Sequence, residues 1–228
     1  MKKYNKSGVV VMGDNIMSKN TIFMYILNTM ADWEWGYVTA ELKTGRFFRK
    51  GIPAFTIKTV SLSKEPITTM GGLRIIPDFS INEINTQDCA LLLLPGGETW
   101  MDSRHAAILE KAKNCLDHGI PVAAICGATM ALASAGILDT YRHTSNDLAY
   151  LKKEFPNYHG EENFQFQSAV TDGDLITASG TAPIELAYQV FKRLDVFSVQ
   201  TLNYWYQLHK MQDSQYFYKL MQSLGQEL

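Results

Sequence analysis

The chain carries almost no charge imbalance, few cysteines and no long apolar run, and each absence removes a class of protein. Its 21 Lys and Arg stand against 23 Asp and Glu, a formal net charge of -2. No basic surplus is available to neutralise a phosphate backbone or an anionic bilayer, so nucleic acid and membrane are not expected partners. Three cysteines, Cys89, Cys115 and Cys126, are odd in number and lack metal-ligand spacing. That argues against a disulfide framework and against a metal site, and for reduced thiols in a cytoplasmic setting. There is no G-x-G-x-x-G or Walker pattern, so no cofactor is expected, and no repeat or low-complexity linker. The run Val9 to Met12, after Lys2, Lys3 and Lys6, is too short for a signal-peptide core, and no run reaches transmembrane length. Residues 1–20 are expected to form a weakly structured extension, with Met12 and Met17 leaving the translation start open.

What is present fits one domain with an appendage. A chain of 228 residues, 46% hydrophobic and 11% aromatic, can bury a sizeable core. Strand-length apolar runs at Thr21–Leu27, Ala54–Leu62, Ala90–Leu94 and Pro121–Ile125 alternate with helical periodicity at Glu34–Lys43, Arg104–His118 and Gly127–Ala135. Strands apolar at nearly every residue belong to a parallel sheet covered on both faces. The pattern predicts an α/β fold, a doubly wound, mainly parallel sheet. A ribbon is expected over Thr68–Asp78, a helix over Asp147–Glu154, and a hairpin in which Asp172-Gly173 joins Phe166–Thr171 to Asp174–Ala178. A further helix over Ala182–Leu194 is expected to take Thr181 as its cap. The last stretch, 196–228, repeats Leu202, Trp205, Tyr206, Phe217, Leu220 and Met221 at helical spacing. It reads as a helical extension that packs on the core or forms a subunit interface.

Chemistry concentrates where Val122–Ile125 runs into Cys126 and small residues then open a helix. A helix N-terminus presents unpaired N–H groups and partial positive charge, which favours a thiolate. Gly127 and Ala128 leave room for a substrate at this elbow. The plainer alternative is a cysteine serving as a small buried hydrophobe. In a doubly wound sheet ligands bind at the carboxyl ends of the strands. Two other segments fall there: Ala31-Asp32-Trp33-Glu34, and Leu94-Pro95-Gly96-Gly97. Adjacent glycines can turn N–H groups toward a reacting oxygen, so Gly96, Gly97 and Gly127 are candidate binding or oxyanion residues.

With those three segments in order, the chain resembles the ThiJ/PfpI superfamily, of flavodoxin-like, class I glutamine-amidotransferase-like fold, over about Thr21 to Leu194. The turn Thr177 to Pro183 looks like that family's last strand-to-helix connection. The resemblance implies that Glu34 lies against a nucleophilic Cys126, and that the protein pairs as a homodimer. It also shows a departure. Protease-type members place a histidine directly after the cysteine, where this chain has Gly127. Other members draw a histidine from the segment after the elbow helix, here Tyr141 to Asp147. One register puts Asn146 at that position and a shifted one puts His143 there. The other histidines, at 105, 118, 159 and 209, read as solvated surface.

Two function classes remain. In one, Cys126 attacks a small carbonyl, glycated, amide or peptide substrate as a hydrolase or lyase, with an intracellular peptidase as a variant. In the other, a low-pKa Cys126 is a redox sensor or chaperone element without turnover.

Overall fold

The computed structural model describes residues 20–226; the expected N-terminal extension and its apolar run lie almost wholly outside the described residues. Chain order is β1 (Thr21–Tyr25), α1 (Gly36–Thr44), β2 (Thr56–Ser61), β3 (Ile67–Thr68), β4 (Arg74–Ile75), β5 (Phe79–Ser80), β6 (Cys89–Leu94), α2 (Ala106–Asp117), β7 (Val122–Ile125), α3 (Gly127–Ser134), α4 (Leu148–Glu154), β8 (Ala169–Asp172), β9 (Leu175–Ala178), α5 (Pro183–Arg193), α6 (Val199–Met211) and α7 (Gln215–Ser223). Seven strands form one sheet in the order β5-β2-β1-β6-β7-β9-β8. All neighbours are parallel except β8, which pairs antiparallel with β9. This is the doubly wound, mainly parallel arrangement that the apolar runs predict, and the flavodoxin-like fold that the resemblance implies. Leu91 to Leu94 and Val122 to Ile125 are buried along their length, because helices cover both faces of these central strands.

Several local expectations need correction. The helix expected from Glu34 begins at Gly36, so Glu34 sits in the turn before it and is not a first-turn acid. The Thr68–Asp78 ribbon is shorter, β3 against β4, and Phe79–Ser80 joins the main sheet beside β2. Phe166 lies outside the hairpin and is exposed. Thr181 does not cap α5: Ala182 occupies the cap without a side-chain bond, and Pro183 supplies the preset first turn. Asp147 does cap α4, its Oδ1 accepting from Tyr150 N–H at 2.6 Å.

The C-terminal helices close over the core from within the same chain. Trp205 is fully buried, with its ring against Phe191 at 5.1 Å between centroids. Its Nε1 donates to Glu41 Oε1 at 3.1 Å, and Arg46 donates two bonds to the same carboxylate from outside. A buried charge is tolerated only when so paired. Leu202, Leu220 and Met221 join the core, whereas Phe217 is exposed. The tail's apolar stripe is therefore largely satisfied without a second copy. Among the described residues no helix is long and apolar enough to cross a membrane. Replacing Trp205→Ala deletes a buried ring and one of the three donors to the Glu41 carboxylate, and should cost about 3–5 kcal/mol. Urea unfolding of the variant against the parent measures this; a loss below about 1 kcal/mol would show that the tail is dispensable to the core.

Candidate active site

Strands β1, β6, β7 and β9 are consecutive in the sheet, so the turns that leave their carboxyl ends converge on one point. Cys126 stands there at φ 57° and ψ -123°. A side chain rarely takes a positive φ, and the cost is of order 1–3 kcal/mol. The backbone is held in it from both sides: Cys126 N–H donates to Ala178 O, and Cys126 O accepts from Thr129 N–H and Thr129 Oγ1. The sulfur is thereby lifted clear of α3 and remains half-buried.

Glu34 comes up beside it. Its carboxyl is fully buried, with Oε2 accepting from Gly96 N–H at 2.5 Å and Oε1 lacking any partner of hydrogen-bond geometry. Glycines make this approach possible. A Cβ at position 96 would fall 2.7 Å from Cys126 Cβ and 2.8 Å from Glu34 Oε2, and one at Gly180 would fall 2.7 Å from Cys126 Sγ. The pair is clamped between two backbones that admit no side chain. Burial pushes Glu34 up to about 7, against the pull of the Gly96 N–H and of Cys126.

Asn146 completes the group. Its Oδ1 accepts from Gly180 N–H at 2.8 Å, which aims Nδ2 at Cys126 Sγ at 3.3 Å. Of the two registers, the structure thus brings Asn146 to the sulfur. His143 is not brought there. It is buried, with Nδ1 donating to Tyr141 O and Nε2 accepting from Tyr158 Oη, each at 2.7 Å. Both ring nitrogens are committed and burial lowers its basicity, so His143 is a structural residue.

Gly97 and Gly127 approach each other closely. A Cβ at 127 would lie 2.8 Å from Gly97 O, so the position after the cysteine has no room for the histidine that protease-type members carry. Gly127 N–H points at the sulfur and favours its ionised form. Gly97 N–H has no acceptor among the described residues.

One electrostatic expectation is corrected. The helix terminus by itself favours the thiolate, but burial pushes the Cys126 thiol up, and a charged Glu34 pushes it further. The Asn146 amide and Gly127 N–H oppose this without overcoming it. Neutralising Glu34 removes the second of these upward pushes and leaves burial alone against the two donors.

Sequence reasoning missed several neighbours. Asp32 anchors the β3–β4 ribbon, accepting from Thr69 Oγ1 at 2.6 Å and Gly71 N–H at 2.7 Å. Trp33 Nε1 donates to Gly180 O at 3.0 Å. Gly180 lay inside the Thr177–Pro183 turn, the one signal available for it. His105, read as surface, is buried between β1 and α2 with Nδ1 2.7 Å from Tyr25 Oη, and His209 is half-buried against Trp205. A cavity of about 380 Å³ opens over the sulfur.

The comparisons decide the family. The DJ-1/PfpI family matches over residues 20–193. This chain belongs to the DJ-1/PfpI family. It is 46% identical over 209 residues to an uncharacterized protease, YoaZ, of Bacillus subtilis, spanning 92% of this chain and all of that protein. A deglycase of Pyrococcus abyssi is 33% identical over 90 residues, 39% of this chain and 54% of its own. The crystal structure of a ThiJ/PfpI family protein from Bacillus anthracis superposes with a TM-score of 0.86 at 49% identity, covering 90% of this chain and 96% of that one.

The buried carboxyl links pH to stability. Its folded pKa of about 7 lies above the ordinary 4.5, so the folded state holds the extra proton and stability is lost as pH rises from about 4.5 through 7. The loss is on the order of 3 kcal/mol. Glu34→Gln removes this titration, so its stability relative to the parent should rise by that amount between pH 4.5 and 8.5. Urea unfolding at both pH values checks it, and a parallel pair of curves would refute the shift. Cys126 should be alkylated faster than the buried Cys89 and Cys115, and its thiol should titrate higher in Glu34→Leu than in Glu34→Gln, which retains a donor. Identical titrations in both variants and the parent would dispose of Glu34 as its partner.

Proposed function

We propose that this protein is a cysteine-dependent enzyme acting on small carbonyl compounds or their glycated adducts. The observation that carries this reading is the company of the sulfur: a buried carboxyl with a pKa near 7 and an amide, with no imidazole lining the cavity among the described residues. Thiolate Cys126 adds to the carbonyl carbon, forming an S–C bond as the C=O π pair moves to oxygen. The proton that leaves the thiol passes through Glu34 to that oxygen, and Gly97 and Gly127 N–H groups bind the developing charge. Glu34 suits this role because a proton carrier works best with a pKa near the working pH. Carboxylate-with-thiol and carboxylic-acid-with-thiolate differ only in where one proton sits. The second arrangement is the reactive one.

Peptide hydrolysis is the weaker variant, although one relative is named an uncharacterized protease. Expelling an amine demands that it be protonated as it leaves, work usually given to an imidazolium beside the thiolate. The name of the Pyrococcus relative supports the carbonyl reading. The redox reading draws on the same thiol and acid, since a carboxyl donor also stabilises an oxidised sulfur.

The test is a panel of aldehydes, dicarbonyls, glycated amines, amides and peptides, followed by mass spectrometry. Consumption of a carbonyl or glycated substrate should vanish in Cys126→Ala and fall at least about 100-fold in kcat in Glu34→Gln. Cleavage confined to peptides would establish the peptidase variant. No turnover, with peroxide converting Cys126 to a sulfinic acid, would replace the enzyme reading with the redox one.

A further inference from the structure

The cavity over Cys126 is lined in a way that the proposed chemistry does not require. Its walls come from five separate segments, and the large side chains at its mouth are apolar: Trp33 is 53% exposed, Met70 48%, Met101 50% and Tyr150 45%. Four large apolar groups left half in water around one opening are a binding feature rather than leftover surface. They are also held. Trp33 is fixed by its bond to Gly180 O, and Met70 is carried by the ribbon turn that Asp32 ties down. Trp100 closes the floor, buried, with Nε1 donating to Pro95 O at 2.8 Å.

Charge in the cavity has one sign. No Lys, Arg or His lines it among the described residues, while Glu34 and Glu98 do. Glu98 is exposed; its backbone N–H is anchored on Thr29 Oγ1 at 2.8 Å. A substrate carrying a carboxylate or phosphate would meet two acids and no cation. A three-carbon dicarbonyl would leave most of 380 Å³ unfilled.

Resting on the reading of Cys126 as a nucleophile toward carbonyl carbon, we infer that the site selects uncharged substrates with an apolar, aryl- or alkyl-sized body and rejects anionic ones. Trp33 and Tyr150 offer faces for a planar group. Met70 and Met101 adapt to its outline. Glu98 sets the charge preference.

The experiment separates this from the proposed activity by reading the thiol directly. Cys126 is alkylated with iodoacetamide, iodoacetate and N-benzyl-iodoacetamide, the modified cysteine being identified by mass, and each rate is divided by that on N-acetylcysteine. The normalised rate for the anionic reagent should fall at least about fivefold below that for iodoacetamide, and Glu98→Gln should narrow the gap. The benzyl reagent should gain roughly tenfold, and Met70→Ala with Met101→Ala should reduce that ratio. A parallel arm compares kcat/KM for phenylglyoxal, methylglyoxal and glyoxylate, expected in that descending order. Equal normalised rates for all three alkylating reagents would overturn the selectivity whether or not any carbonyl is turned over. Selective alkylation without turnover would uphold the pocket's preference and overturn only the enzymatic reading.

Discussion

The contact on which this site depends is the one between the dry carboxyl of Glu34 and the backbone of Gly96. A carboxyl removed from water costs several kcal/mol unless it is neutralised or hydrogen-bonded. Here one oxygen takes a single N–H and the other faces the sulfur with no donor of its own. The fold keeps this expensive arrangement by geometry rather than by charge. Strands β1 and β6 are neighbours, so the turn after each is bound to meet the other, and Ala31 N–H donates back to Gly96 O at 3.0 Å. Those two bonds cross-link the turns and leave the carboxyl nowhere else to go. Gly180 and the strained backbone of Cys126 then place the sulfur on the same spot from β7 and β9.

Much of this was legible in the residues, and the limits follow from physics. Ala90 to Leu94 and Val122 to Ile125 announce themselves because a strand covered on both faces is apolar at every position. The elbow, the Pro-Gly-Gly turn and Glu34 were legible because their residue types are forced by the turn: a bulkier residue at 96 would collide with the pair it supports. The two-residue strands β3, β4 and β5 are too short to carry any periodicity. The choice between His143 and Asn146 turned on a segment with one isolated bridge, His143 to Phe164, where no alternation fixes which side chain faces inward. His105 was misread for a related reason. It ends a 3-10 turn before α2, where helical periodicity does not yet apply, and its burial is set by Tyr25 from a distant strand.

The C-terminal helices show the other boundary. Their amphipathic spacing was plain, yet spacing says only that a face is covered, not by what. The covering surface is α1 and α5, and the contact is specified by Glu41, a buried acid within α1 that no local pattern marks. Its carboxylate receives Trp205 from one side and Arg46 from the other. Glu41 and Glu34 lie within a few residues of each other, both nearly inaccessible, and they are treated oppositely. One is given a guanidinium and an indole N–H; the other is given one amide N–H and a thiol.

That contrast bears on what each acid can do. A carboxylate bonded to Arg46 and Trp205 fixes a helix in place, which is a matter of stability. A carboxyl without a cation retains its proton to about neutral pH, and the titratable side chain beside it among the described residues is Cys126. Adding a cation near Glu34 would stabilise the fold at high pH and at the same time hold the carboxylate charged, so that Glu34 could no longer carry a proton near neutral pH. The acid without a cation, a cavity that no lysine, arginine or histidine lines among the described residues, and the glycines at 96, 127 and 180 are therefore one constraint seen from different sides.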